Sequence, residues 1–509
     1  MSTPEKAVKG TTALVSQSMI SGLLRILSIM ILAKLLLQAE MGQIALLGVI
    51  YGITQFLGAL GLNHASPYYL GKNATDDEPS IARSFLNKST LLILAASTFL
   101  AISLLVSLPL IVATGYLSFE LVLLAALLIP LSSIDVFLDS FLLGRYRVNS
   151  LVASRMIFEG SRFFFSIFLV LLGFGVYGVL LGWLIGEGIG VVVFSFASRF
   201  KLSTRKADIR MLPVLGFALP SLAFQTVDVA IQNADRLILL SLTSLVTLGV
   251  YDVLLNLLFM LSFFSLSVST SLYPVLTRLE HTSDNSKQQE HNTEQATTLL
   301  VRYIILALLP VSIVLAMHSE LVLNILVGAT YSSYLNASLS FAILAIAYIL
   351  WGITYSFHSV LRARGEKKFF IYVGLFVIAF EVAGCWILTS MLGLLGASII
   401  RAIYIGVLFL SALAAVHKQN PFRYRSLIRS IIKITLSATI CSVLIFFFPP
   451  YDIMSLLLWI GLLAIFYLGL LFLTREISKV DFTLAKMLFP NQIESLIQKL
   501  EDMYLKREN

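Results

Sequence analysis

Residues 18–28, SMISGLLRILS, and residues 225–235, QTVDVAIQNAD, decide how this chain is to be read. In the first stretch Ser18, Ser21, Arg25 and Ser28 fall at steps of three, four and three, which keeps them on one face of a helix. In the second, Gln225, Asp228, Gln232 and Asp235 repeat that rhythm 207 positions later. Hydrocarbon solvates no such face, so both stripes are expected to line a shared aqueous cavity. For the serines alone, packing through small polar residues explains the pattern equally well. For Arg25, Asp228 and Asp235, the cost of a charge at mid-membrane favours water or a partner.

The surroundings of both stripes are apolar. Of 509 residues 58% are hydrophobic and 13% charged, with mean hydropathy +0.91, a balance no water-soluble core could absorb. Apolar runs of about twenty residues, the length that spans hydrocarbon as a helix, predict an all-α polytopic membrane protein of about fourteen transmembrane helices. These fall near 12–34, 42–65, 88–111, 119–143, 153–173, 176–198, 213–240, 246–273, 299–327, 335–361, 369–390, 394–416, 427–447 and 453–474.

Loop charge alternates accordingly. Lys72, Arg83, Lys88, Arg145, Arg147, Arg155, Lys201, Arg205, Arg364, Lys367, Lys418 and Arg423 crowd one set of loops, while those near 35–41, 112–118, 174–175, 241–245, 328–334, 391–393 and 448–452 hold no Lys or Arg. By the positive-inside rule both termini are expected in the cytoplasm of a multi-pass cell-membrane protein. The net charge of +8 then meets anionic lipid and calls for no nucleic acid. The first span reads as a retained signal anchor. Cys385 and Cys441 both fall inside spans, which indicates no disulfide framework and no metal site.

The repeat extends past the stripes. Gly42 and Pro67 are spaced like Gly249 and Pro274, again at an offset of 207, and Gly175-Val176-Tyr177-Gly178 matches Gly393-Leu394-Leu395-Gly396 at 218. We therefore expect two pseudo-symmetric six-helix lobes around a central cavity: an N-lobe over 1–200, a linker over 201–212 and a C-lobe over 213–417. A helix pair follows over 418–474, then a cytoplasmic amphipathic tail over 475–509, with Ile493, Leu496, Ile497 and Leu500 on one face. The polar stretch 280–297 reads as a solvated linker.

Several of these segments resemble the polysaccharide flippases of the multidrug and oligosaccharidyl-lipid exporter superfamily. The resemblance is carried by Arg25 to Lys34 with Gly42, Gly61-Leu62-Asn63 to Gly71, Gly173 to Gly186, Leu219-Pro220 to Ala234-Asp235-Arg236-Leu237-Ile238-Leu239, Gly249-Val250-Tyr251 and Tyr273-Pro274. It implies two helical bundles alternately open to each side. It also implies a polyprenyl- or dolichyl-pyrophosphate-linked oligosaccharide as substrate, moved from the cytoplasmic to the outer leaflet. Many relatives carry a cavity arginine where Arg25 stands; the matching position in the seventh helix is Gln232. No cofactor is implied beyond H+ or Na+ as coupling ion. Glycan polymerase or glycosyltransferases are the candidate partners and a monomer the expected state.

Among the charges, Arg25 is the first candidate for the anion, because guanidinium stays charged and grips phosphate bidentately. Ser21, Ser28, Gln225, Gln232 and Arg401 join it as candidate substrate-binding residues. Asp228 and Asp235 bracket Gln232 and are expected to reach Arg25 when the cavity is empty, then to take a coupling ion. Asp135 and Asp139, four apart on one face, call for an ion or for pairing to Arg162. Glu187 and Glu381 are buried protonatable candidates. Glu159 and Arg162 are spaced to pair within a helix, and Arg236 is expected to point away from Asp235.

Two other functions compete. An organic-cation antiporter on the same fold would need an acidic cavity, which Asp228 and Asp235 supply and Arg25 opposes. A membrane glycosyltransferase would need a catalytic exported loop, and these loops are short and nearly uncharged. No phosphate-cradling glycine loop is present, which excludes ATP as the direct energy source.

Overall fold

The computed structural model describes residues 3–72, 78–199, 209–282, 286–363, 366–419 and 424–474, with 476, 482 and 498 besides. All regular structure among them is helical, as hydrocarbon requires of a backbone that must bond to itself. In chain order the helices are α1 (Thr3–Leu35), α2 (Gln38–Gly58), α3 (Leu62–Lys72), α4 (Glu78–Val106), α5 (Leu108–Ala113), α6 (Phe119–Gly144), α7 (Val148–Leu169) and α8 (Gly175–Arg199). The second half holds α9 (Met211–Leu242), α10 (Leu245–Thr282), α11 (Ser286–Met317), α12 (Ser319–Val327), α13 (Ala329–Ser332), α14 (Ala337–Ala363), α15 (Lys367–Leu392) and α16 (Leu394–Gln419). The last two are α17 (Tyr424–Phe447) and α18 (Ile453–Leu473).

Twelve segments of the described residues are long and apolar enough to cross a membrane, so the chain is a multi-pass membrane protein. The expected count of about fourteen differs at two places. Val148–Ser198 scores as one segment although it folds back between α7 and α8, and α9 is apolar only over Met211–Ala223 because its polar stripe follows. Two expected single spans are broken. The second bends at Leu60 and Gly61, with φ of 53° and 70°, and the ninth stops at His318 between α11 and α12. Helices α10 and α11 also run to Thr282 and from Ser286, into the stretch expected to be a solvated linker. The amphipathic segment 491–505 lies outside the described residues except Gln498, as does most of the linker 201–212.

Glycines set the closest helix contacts. At Gly42 an added Cβ would stand 2.0 Å from the Leu245 carbonyl oxygen, and at Gly249 one would stand 2.1 Å from that of Gln38. Leu245 follows Gln38 by the same 207 positions that separate Gly249 from Gly42, so α2 and α10 meet in a reciprocal, two-fold-like crossing. This crossing lies at the ends whose loops lack Lys and Arg. There Lys34 Nζ also donates to the Ile325 carbonyl (2.8 Å) and Gln38 Nε2 to that of Thr330 (2.8 Å). The other repeat holds too: Gly175 and Gly393 turn with φ of 53° and 58°. At Gly178 and Gly396 a Cβ would press on the preceding helix, 2.9 Å from Leu169 C and 2.0 Å from Leu388 O.

Helix α9 packs against both halves of the chain. Its first half lies on α3, where a Cβ at Gly61 would be 2.1 Å from the Ala218 carbonyl, Tyr68 stacks on Phe217 at 4.6 Å, and Tyr69 donates to the Pro213 carbonyl at 2.8 Å. Its second half packs on α15, α16 and α10. Helices α17 and α18 attach outside, against α11. Pro310 cannot donate to the Leu306 carbonyl one turn back, and the Tyr467 hydroxyl of α18 donates to it instead (3.0 Å). His318 Nε2 lies 2.8 Å from the Ser442 carbonyl of α17.

Gly42→Ala is expected to lower the thermal midpoint of the detergent-purified protein, since overpacking typically costs about 1–3 kcal/mol. Gly52→Ala on the same helix, where nothing lies within 4 Å, should leave it unchanged or raise it.

Candidate functional site

Arg25 is exposed on α1, on the stripe that its spacing predicts. Its Nη2 donates to Asn256 Oδ1 at 2.7 Å, and its guanidinium carbon lies 5.3 Å from the centre of the Phe259 ring. Both partners belong to α10. Asn256 Nδ2 in turn donates to Asp252 Oδ2 at 2.8 Å. Asp252, Asn256 and Phe259 are spaced four and three apart, one helical face turned toward α1. Arg25 thus bridges the two repeat halves and reaches a carboxylate only through a neutral amide.

A second set of charges continues from Asp252. Arg236 Nε donates to Asp252 Oδ1 at 2.8 Å, while the Arg236 backbone N–H donates to Asp235 Oδ1 at 2.8 Å. The other oxygen of Asp235 accepts from the Tyr251 hydroxyl at 2.6 Å and lies 3.6 Å from Arg401 Nη1. That same nitrogen donates to Glu381 Oε1 at 2.9 Å. Asp235 and Glu381 have no exposed surface and Arg401 is 7% exposed. The network runs Arg25, Asn256, Asp252, Arg236, Asp235, Arg401, Glu381 across α1, α10, α9, α16 and α15. Arg236 and Arg401 face Asp252, Asp235 and Glu381 directly, and Arg25 joins them through the Asn256 amide.

This differs from expectation at two residues. Asp235 does not reach Arg25, because Tyr251 and Arg401 turn it toward α10 and α16. Arg401 is buried against Glu381 and Asp235 instead of supplying a cation at an open wall. Arg236 points away from Asp235 as expected, its guanidinium on Asp252, while its backbone N–H donates to Asp235. The side chain of Asp228 lies outside the described residues. The rest of the stripes is polar and partly open: Ser21 accepts from Gln17 Nε2 (2.9 Å) and Ser28 is half-buried. Gln225 accepts from Asn63 of α3 (3.3 Å). Gln232 is exposed, and its carbonyl accepts from Arg236 Nη1 (2.8 Å).

A separate cluster fills the first half between α2, α6, α7 and α8. Glu187, without exposed surface, accepts from the Tyr51 hydroxyl. Arg162 stacks 4.3 Å over the Trp183 ring and 5.1 Å over Tyr51. No ion pair joins it to Glu159 among the described residues, and it is not the partner of Asp135 and Asp139. That partner is Arg155, at 3.9 Å from Asp135 and 3.1 Å from Asp139; counted with the loop cations by sequence, it sits inside α7.

The residues that sequence reasoning missed are Asp252, Asn256, Tyr251, Tyr51 and Arg155. Tyr251 and Asp252 follow Asp235 and Arg236 by the same sixteen positions, which is the register of the α9–α10 hairpin, and that shared spacing was the available signal.

The family model described as polysaccharide biosynthesis protein matches residues 31–336, more than half of the chain. Among solved structures, one titled lipid II flippase MurJ in an inward closed conformation aligns with a TM-score of 0.68 at 17% identity, covering 90% of this chain and 97% of its own. An inward-facing multidrug resistance MATE family transporter aligns at 0.64 and 14%, covering 80% and 98%. A superfamily transporter from Pyrococcus furiosus, whose title reports a binding pocket of reverse polarity, aligns at 0.53 and 16%, covering 81% and 95%. No curated protein sequence matches the chain. On a fold shared with these transporters, the chain belongs to the polysaccharide biosynthesis protein family.

Proposed function

We propose that this protein is a flippase that carries a polyprenyl- or dolichyl-pyrophosphate-linked oligosaccharide from the cytoplasmic to the outer leaflet. The observation that carries this reading is the state of Arg25, an exposed guanidinium between the two repeat halves, held by an amide and a ring face and by no direct carboxylate. Asp252, Arg236, Arg162 and Glu159 all lie within its electrostatic reach. A pyrophosphate offers two charged oxygens to the planar fork, which makes it a stronger acceptor than the Asn256 amide. Membership in a polysaccharide biosynthesis family and the likeness to a structure titled lipid II flippase support the same substrate class.

The lobes in this reading are 1–200 and 213–417, with both termini cytoplasmic, and the transporter acts as a monomer without chemistry of its own. The Gly42–Gly249 crossing holds the outward ends shut, so substrate enters from the basic side. Substrate binding draws Arg25 off Asn256, removes that tie between α1 and α10, and frees the lobes to rock. The antiporter reading needs an acidic cavity, and Asp235, one of the two aspartates that supported it, is buried against Tyr251 and Arg401.

Arg25→Ala is expected to abolish export of the lipid-linked glycan while the protein still reaches the membrane, and Arg25→Lys to retain part of it, having charge without the fork. Glycan export in cells lacking the native gene measures both; normal export by Arg25→Ala overturns the assignment. Asn256→Asp places a carboxylate directly on Arg25 and competes with substrate. A hydrogen bond between charged groups is worth about 1.5–3 kcal/mol, so export in that variant should fall on the order of tenfold or more.

A further inference from the structure

The two charge networks differ in their balance. Arg236 and Arg401 pair directly with Asp252, Asp235 and Glu381, two cations against three carboxylates, with Arg25 joined only through the Asn256 amide. In the first-half cluster, Arg155 and Arg162 face Asp135, Asp139, Glu159 and Glu187, two cations against four carboxylates. Every one of these groups acts on its neighbours there: Glu187 feels Arg162 and Arg155 and Glu159 from α7 and the Tyr51 hydroxyl from α2, and Asp135 of α6 feels Glu187, Arg155, Asp139 and Glu159. A fully buried carboxyl with no close cation is not held ionised in hydrocarbon.

The geometry singles out two. Glu187 Oε2, Asp135 Oδ1 and Asp139 Oδ1 are buried without a hydrogen-bond partner, as is Glu381 Oε2 in the other network. Asp139, however, has Arg155 at 3.1 Å and Glu381 has Arg401 at 2.9 Å. Asp135 has its arginine at 3.9 Å and Glu187 has no ion pair among the described residues; the two are 2% and 0% exposed. The Glu187 and Asp135 oxygens both lie along α8. Gly190, three residues after Glu187, admits Asp135 so closely that an added Cβ would stand 2.9 Å from Oδ1.

We infer that Glu187 and Asp135 form a proton-binding site between α6 and α8, and that this site takes up the coupling ion. This rests on the transporter reading above. Helix α7 is the mechanical link: it packs on α8 and on α1, and its Arg162 and Glu159 lie within electrostatic reach of Arg25. Loading the proton removes a negative charge facing Arg155 and Arg162, so α7 repacks and shifts α1 with its anion-binding arginine.

Trp183 reports on this site without any glycan, because its ring lies under Arg162 at 4.3 Å and 5.7 Å from Tyr51. In the full-length purified protein with Trp351, Trp386 and Trp459 replaced by Phe, Trp183 fluorescence should show one sigmoidal transition with pH. Glu187→Gln, which keeps an acceptor for Tyr51, should abolish it. Tyr51→Phe removes a donor that stabilises the ionised carboxylate, so the transition should move to higher pH. Absence of a transition in the parent, its persistence in Glu187→Gln, or an unmoved midpoint in Tyr51→Phe would each overturn the site. A midpoint that moves with Na+ at fixed ionic strength assigns a metal cation instead and overturns the proton. None of these outcomes touches the flippase reading, which stands or falls on export by the Arg25 variants.

Discussion

A charge inside a bilayer must be met by another charge, by a hydrogen-bonding group or by water, at a cost of about 2.5–3.5 kcal/mol or more when it is not. That constraint organises this protein. Six formal charges on five helices are threaded into one network by Asn256 and Tyr251, and helices α1, α9, α10, α15 and α16 take positions that keep the thread intact. Around Asp235, Arg401 and Glu381 the ion pairs are direct and buried. Arg25 and Glu187 have no such direct pair among the described residues, and the proposals for an anion and for a proton rest on them.

The duplicated architecture explains where these openings occur. Gly42 and Gly249 meet reciprocally, and Gly175 and Gly393 turn alike, so the backbone follows the repeat. The chemistry departs from it. Asp252 and Asn256 correspond, at an offset of 207, to Ala45 and Val49, and Arg25 corresponds to Gln232. A symmetric scaffold therefore carries an asymmetric pair of faces, a cation from one half held against polar groups of the other. In the proposed mechanism such a contact is made and broken by relative motion of the halves, and substrate at Arg25 would be felt across it.

Much of the fold was legible because hydropathy and the repeat are properties of single segments. The glycines read from the sequence as a repeat, Gly42 and Gly249, stand at equivalent places in the structure, where they also make a close crossing, and the stripe containing Arg25 meets α10. Partner identity was less legible. Asp235 and Arg25 share a stripe register, which suggested that they meet, but the α9–α10 hairpin register gives Asp235 to Tyr251 and Arg236 to Asp252. Searching for positions that repeat also hid Asp252 and Asn256, whose importance lies in not repeating. Arg155 was read as a loop cation because α7 begins earlier than its apolar run, and only packing shows it between Asp135 and Asp139.

The central claim is that Arg25 is the anion-binding group of a cavity between the halves. Its most direct measurement is binding of a sugar-free polyprenyl pyrophosphate to purified wild-type protein and to Arg25→Ala. The account predicts saturable binding to the wild type, weakened at least tenfold by the substitution, as loss of a charge-assisted bidentate contact implies. Equal affinity in both proteins would contradict it.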